Sequence, residues 1–174
     1  MMMDETEFWG LVDSARETAE GDPEDQSDLL VEQLSQLDPD AVLDFARHFE
    51  ARSRRAYRWD VWGAAWVLLG GVDDDAFEAF RYWLIGQGRE VFEGALHDPD
   101  ALADLLEDFD DQVDGDCEDL GFAADEAYER LTGARLPELG ISPAPREPLG
   151  EPVDLESEAV LSERYPRLWE RFRD

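Results

Sequence analysis

The sequence predicts an all-α fold: a compact multi-helix single domain with a Pro-rich strap and a C-terminal aromatic segment docked on the core. Three observations carry this expectation. Val and Ile together number only 12 of 174 residues and Thr only three, while Ala, Leu, Glu, Asp and Arg dominate, so residues that favour a pleated surface are scarce. Apolar residues recur at spacings of three and four, the repeat of one buried helical face. Three Asp-Pro-acid tripeptides, beginning at Asp22, Asp38 and Asp98, read as helix starts, with Asp as cap, Pro in the first turn and an acid at the positive end of the dipole.

Taken in order, the first helix is expected from about Asp4 to Glu20, burying Phe8, Leu11, Val12 and Ala15. The second carries Leu30, Leu34 and Leu37, and the third, after Pro39, buries Val42, Phe45 and Phe49 before entering an Arg-rich stretch. Trp59, Trp62 and Trp66 share one face of a fourth helix that Gly70-Gly71 stops, and the row reads as core. Asp73 caps a fifth, with Phe77, Phe80 and Leu84 inward, and Gly86-Gln87-Gly88 separates it from a short helix bearing Val91, Phe92 and Leu96. Two more are expected at roughly Pro99 to Phe109 and Leu120 to Leu131. "DPDAVLDFARHF" and "DPDALADLLEDF" agree at six of twelve positions, but their flanks differ, which favours shared helix grammar over a repeat. The helical core therefore spans 1–135. A strap follows over 136–156, where Leu136 to Pro152 holds five of the nine prolines. An amphipathic segment, 157–174, packs back on the core through Leu161, Tyr165, Leu168, Trp169 and Phe172, with Pro166 breaking or restarting its helix.

Charge is the unusual property. Forty-five acidic side chains face 15 basic ones, all Arg, for a net charge of −30. A phosphate polymer or an anionic membrane surface would be repelled, so no direct nucleic-acid or membrane binding is expected and a basic protein partner is favoured. Solubility is the simpler explanation of the acidity, and mimicry of nucleic acid toward a basic protein the sharper one. Cys117 is the single cysteine, so no internal disulfide is possible; its acidic setting, "DGDCEDL", disfavours a thiolate. "MMMDETE" lacks the basic start of a signal peptide, and the longest uncharged run, Val61 to Val72, has 12 residues. A membrane span needs about 20. A cytoplasmic protein is expected.

The candidate site is sought where polarity interrupts the aromatic rows. Asp60 lies between Trp59 and Trp62, and Arg81 between Phe80 and Tyr82. If both point inward each needs a partner, and an Asp60–Arg81 bridge near Trp62 and Trp83 is the cheapest solution, as structural glue or as a ligand clamp. "RSRRAYRW" supplies the one basic island, Arg52, Arg54, Arg55 and Arg58 beside Tyr57; its forks suit a small anionic ligand, although internal ion pairing is the simpler reading. The ligand-binding candidates are thus Asp60, Arg81, Trp62, Trp83, Arg55 and Arg58, with no catalytic residue, metal or cofactor assigned. The run from Asp110 resembles a calcium loop through Asp114 and Gly115, but its third position is Gln112 and its twelfth is Gly121, where a Glu is needed. Asp44 with His48, and Glu93 with His97, have the spacing to share a metal between two helices, a pattern chance supplies readily in so acidic a chain. Gly86-x-Gly88 follows a helix and so lacks the context of a phosphate-binding loop, and no Ser sits in a nucleophile elbow.

"YRWDVWGAAWVLLGGVDDDAFEAFRYWLIGQGREVFEGALHDPDAL" resembles a bacterial family known as domain of unknown function 4240, whose hallmark is W-D-x-W-x-A-A, Gly-Gly, then an acidic cap leading to F-x-x-F-R-x-W-L-I and a glycine. Trp59, Asp60, Trp62, Ala64, Ala65, Gly70, Gly71, Asp74, Phe77, Phe80, Arg81, Trp83, Leu84, Ile85 and Gly88 occupy these positions. "FWGLVDSAR" and "YPRLWERF" also look familial. The resemblance implies a helical fold and brings no activity or catalytic residue. Val72 stands where relatives are expected to carry a small or polar residue such as Cys, which counts against thiol chemistry there. The expected function is binding: an interaction module with an acidic surface, more readily than a small-anion or enzymatic pocket or a nucleic-acid mimic.

Overall fold

The structure, a computed structural model, describes residues 3–111, 113–142 and 144–173. Met1 and Met2 of the leading run, Gln112 of the candidate calcium loop, Pro143 of the strap and Asp174 of the tail lie outside the described residues. The fold is all-α, and among the described residues there are eleven α-helices. They are α1 (Glu5–Thr18), α2 (Pro23–Leu34), α3 (Pro39–Arg55), α4 (Trp59–Leu69), α5 (Asp74–Gly86), α6 (Arg89–His97), α7 (Leu102–Leu105), α8 (Glu118–Gly121), α9 (Ala123–Thr132), α10 (Glu158–Arg164) and α11 (Pro166–Phe172). A 3-10 turn, Pro99–Ala101, leads into α7.

The punctuation is partly as expected. Asp22 accepts from the amides of Glu24 and Asp25, Asp73 from Ala76 and Asp98 from Asp100, whereas Asp38 makes no cap hydrogen bond. Gly70 ends α4 at φ +80°, a left-handed conformation that costs glycine little.

The core centres on α5, whose Phe77, Phe80, Leu84 and Ile85 are wholly buried. α1 packs on α2, α2 on α8 and α9, α3 on α5 and α9, and α4 on α11. The Trp row of α4 is not its buried face. Val61, Ala64, Ala65, Val67 and Leu68 point inward, and Trp59, Trp62 and Trp66 flank the core, partly buried. Small side chains on the inner face let α11 approach: a Cβ at Gly63 would stand 2.3 Å from the Tyr165 hydroxyl.

Two expected helices differ. The segment after Pro99 leaves helical geometry at Leu106 rather than Phe109, because the Arg171 guanidinium takes the carbonyls of Ala103, Leu106 and Glu107, closing the helix end from outside. The stretch expected from Leu120 to Leu131 forms two helices, α8 and α9. The break follows Gly121, where a Cβ would lie 2.4 Å from the Tyr82 ring.

Among the described residues the strap runs along α3 without a helix. It is held by Arg47 Nε on the Leu139 carbonyl (2.9 Å), by Arg54 on the Ser142 carbonyl, and by a parallel bridge pairing Arg58 with Leu149. The aromatic tail docks on the core: Leu168 is fully buried, the Tyr165 hydroxyl donates to the Asp60 carbonyl (2.6 Å), and Arg173 Nε donates to the Val67 carbonyl (2.7 Å). No helix among the described residues is long and apolar enough to cross a membrane.

Candidate functional site

The six ligand-binding candidates, Asp60, Arg81, Trp62, Trp83, Arg55 and Arg58, fall into separate surroundings in the fold. Asp60 does not meet Arg81. Its carboxylate is held bidentately by Arg58, two residues earlier, at 3.0 and 3.1 Å, because the extended backbone of Arg58 just before α4 lays the fork alongside the helix's first turn. Arg55 reaches across to α6 and grips Glu93 at 3.0 and 3.1 Å, which holds the Glu93 carboxyl below its ordinary range. Trp62 donates Nε1–H to the Val72 carbonyl (2.8 Å) and stacks between Trp59 and Phe77, with centroids 5.4 and 4.9 Å away. In the rest of the island, Arg52 pairs with Glu5 (3.2 Å) and lies over the Phe8 ring, and Arg54 pairs with Glu50 (3.0 Å). The basic island is therefore largely neutralised by its own chain.

Arg81 is different. It projects from α5 towards the end of α3, only 9% exposed, with its guanidinium 4.6 Å from the Tyr57 centroid and 5.0 Å from that of Phe77. Nη1 donates to the Ser53 carbonyl (3.0 Å) and reaches Ser53 Oγ at 3.4 Å; Nε is buried with no acceptor among the described residues. Among the described residues no carboxylate forms an ion pair with it. Burial pushes the group below its ordinary pKa, against the pull of Glu78. Arg81 lines a cavity of about 330 Å³ with Tyr57 and Ser53 of the α3–α4 corner, Tyr82 and three acids of α5, and Ala144 and Pro145 of the strap. Tyr82 donates to Glu78 (3.0 Å), and burial raises its phenol above the ordinary range.

Trp83, one residue on, faces another concavity. It is 2% exposed and packs edge-on against Phe109 at 5.5 Å, and its Nε1–H has no acceptor among the described residues. The cleft it lines, about 720 Å³, lies between α1, the α5–α6 junction and the irregular segment after α7. Seven carboxylates and two arginines line it. Asp13, from α1, rests against Gly88, where φ is +100° and a Cβ would lie 2.5 Å from the Asp13 Oδ1. Burial raises the Asp13 carboxyl, with Arg16 opposing. Arg16 meets only Gln87 Oε1, at 3.5 Å, and has no carboxylate partner among the described residues.

The metal patterns resolve into other contacts. The Asp44 carboxylate accepts from Met3 N (2.9 Å) and Arg47 (3.1 Å); His48 donates from Nε2 to the Met3 carbonyl (2.8 Å) and accepts from Arg52 at Nδ1 (3.0 Å). Among the described residues no three His, Cys, Asp or Glu side chains gather as a metal site requires. Cys117 is buried 3.3 Å from Ser27 Oγ, and burial pushes its thiol up.

Sequence reasoning named Arg81, Tyr57 and Trp83 but missed Ser53, Glu78, Tyr82 and the cleft acids. The i, i+4 spacing of Glu78 and Tyr82 was a usable signal; Asp13 and Asp108, 95 residues apart, offered none.

Fold and site define an all-α domain built round the central helix α5, which contributes both to the cavity of the buried Arg81 and to the acidic cleft of Trp83. The model of the family described as Protein of unknown function (DUF4240) matches residues 3–130, and the chain belongs to that family. The match does not reach "YPRLWERF", so the tail that docks on α4 lies beyond it. No curated protein and no solved structure matches.

Proposed function

We propose that this protein is a binding module that takes a basic segment of a partner protein in the acidic cleft lined by Trp83. The observation that carries this reading is the buried indole N–H, without an acceptor among the described residues, beside a cleft whose carboxylates outnumber its arginines seven to two. An unmade buried hydrogen bond costs about 1–3 kcal/mol, and an extended peptide supplies the missing acceptor through a main-chain carbonyl. Its guanidinium or ammonium groups meet the carboxylates, whose repulsion the bound cations relieve. Phe109, on the irregular segment after α7, packs edge-on against this indole at the cleft wall.

A short Arg-Gly repeat peptide, titrated calorimetrically, separates a seat from general attraction to an anion. Glu107→Gln with Asp108→Asn removes two cleft charges; Asp25→Asn with Glu32→Gln removes two exposed charges on α2. The cleft pair is expected to weaken binding about tenfold, the loss of roughly 1.4 kcal/mol, and the α2 pair much less. Equal losses would leave only diffuse electrostatics and refute the seat.

A further inference from the structure

The Arg81 cavity has a chemistry the acidic cleft does not. At one end stands a guanidinium that is nine-tenths buried and stacked on two aromatic rings, with Nη1 committed to Ser53. Nε and Nη2, the edge that forms a fork for a planar anion, have no partner among the described residues. On the other walls, Glu50 is occupied by Arg54 and Glu78 by the Tyr82 hydroxyl, while Asp74 and Asp75, in the first turn of α5, have no cation partner among the described residues. A simple anion would neutralise Arg81 but meet these carboxylates. A simple cation would satisfy the acids and leave the buried guanidinium unmatched.

We propose that the cavity between α3, α5 and the strap binds a small amino-carboxylate zwitterion, its carboxylate on the unpaired Nε–Nη2 edge of Arg81 and its ammonium towards Asp74 and Asp75. The aromatic walls add to this: Tyr57 lies over Arg81 and lines the cavity, and Tyr82 lines it beside Glu78. Ala144 and Pro145 close one side, and Arg54 ties the adjoining Ser142 carbonyl to α3, so the strap forms part of the wall.

The test is calorimetry on the full chain with ω-amino acids from glycine to 6-aminohexanoate, against butyrate and n-butylamine. At least one amino acid of the series should bind, with butyrate and butylamine each at least about tenfold weaker, since each supplies one of two charge-assisted contacts. Asp74→Asn with Asp75→Asn, which leaves the Asp73 cap in place, should weaken the zwitterion about tenfold and leave any butyrate binding unchanged or tighter. Arg81→Lys should abolish binding while keeping the charge; where that variant fails to fold, the Asp74/Asp75 variant still decides. Butyrate binding as tightly as the amino acids, or no binding of any amino acid at about 10 mM, overturns the proposal.

Discussion

Arg58 and Arg81 carry the same charge beside the same aromatic rows, yet their surroundings give them opposite roles. Arg58 finds Asp60 two residues away and stays 38% exposed, so Arg58→Ala should cost less than about 1 kcal/mol in urea unfolding. A bridge from Arg81 to Asp60 was the expectation if both pointed inward, but Arg58 takes the Asp60 carboxylate, and Arg81 is left to two rings and Ser53. That preference was hidden in the sequence because Asp60 has arginines on both sides and only backbone geometry decides between them. The Arg55–Glu93 pair gives a pH test. The Glu93 carboxyl is held below its ordinary value by the Arg55 hydrogen bond, so its contribution is complete above the unfolded carboxylate pKa and disappears as pH falls through the folded one. Both side chains are substantially exposed, which screens the pair. A double-mutant cycle of Arg55→Ala and Glu93→Ala should give at most about 1 kcal/mol of coupling at neutral pH and none once the carboxylate is protonated. Coupling that grows on acidification would contradict this.

The elements are joined by contacts between helices distant in sequence. Asp100 belongs to an Asp-Pro-Asp start and reads as an acid favouring its own helix dipole. In the fold it turns inward, 8% exposed, and caps α11 by accepting from the amides of Leu168 (2.9 Å) and Arg167 (3.2 Å). Asp100→Ala removes that cap and leaves Arg167 with only Asp98 and Asp104, so a loss of about 1–2 kcal/mol is expected, with faster hydrogen exchange confined to α11 and the face of α4 beneath it. Gly63→Ala acts on the same junction from the other side, since its Cβ would overlap the Tyr165 hydroxyl; about 1–3 kcal/mol is expected. Unchanged stability would show that the tail docks without this contact. Helices α1 to α6 were legible because caps, glycines and apolar spacing agree there. The early end at Leu106 was not, because the guanidinium that closes it comes from Arg171, 65 residues later. Nor was the outward turn of the α4 tryptophans, since Trp at helical spacing marks a stripe without saying whether the neighbouring Ala and Val stripe packs more closely.

For the whole molecule, most arginines serve internal pairs while the acids far outnumber them, so the folded surface carries nearly all of the −30 net charge. Self-repulsion should therefore destabilise the fold at low ionic strength, and sodium chloride between about 10 mM and 0.5 M should raise the unfolding midpoint as the Debye length falls from roughly 30 Å to a few Å. Seven of the 45 acids line the Trp83 cleft, the proposed seat of recognition. The most direct test follows the six tryptophan indole N–H signals by nuclear magnetic resonance while the Arg-Gly peptide is added. The Trp83 indole proton should shift most, downfield as it gains an acceptor, with an affinity that falls as salt rises. Binding that leaves the Trp83 signal in place while other indoles move would contradict it.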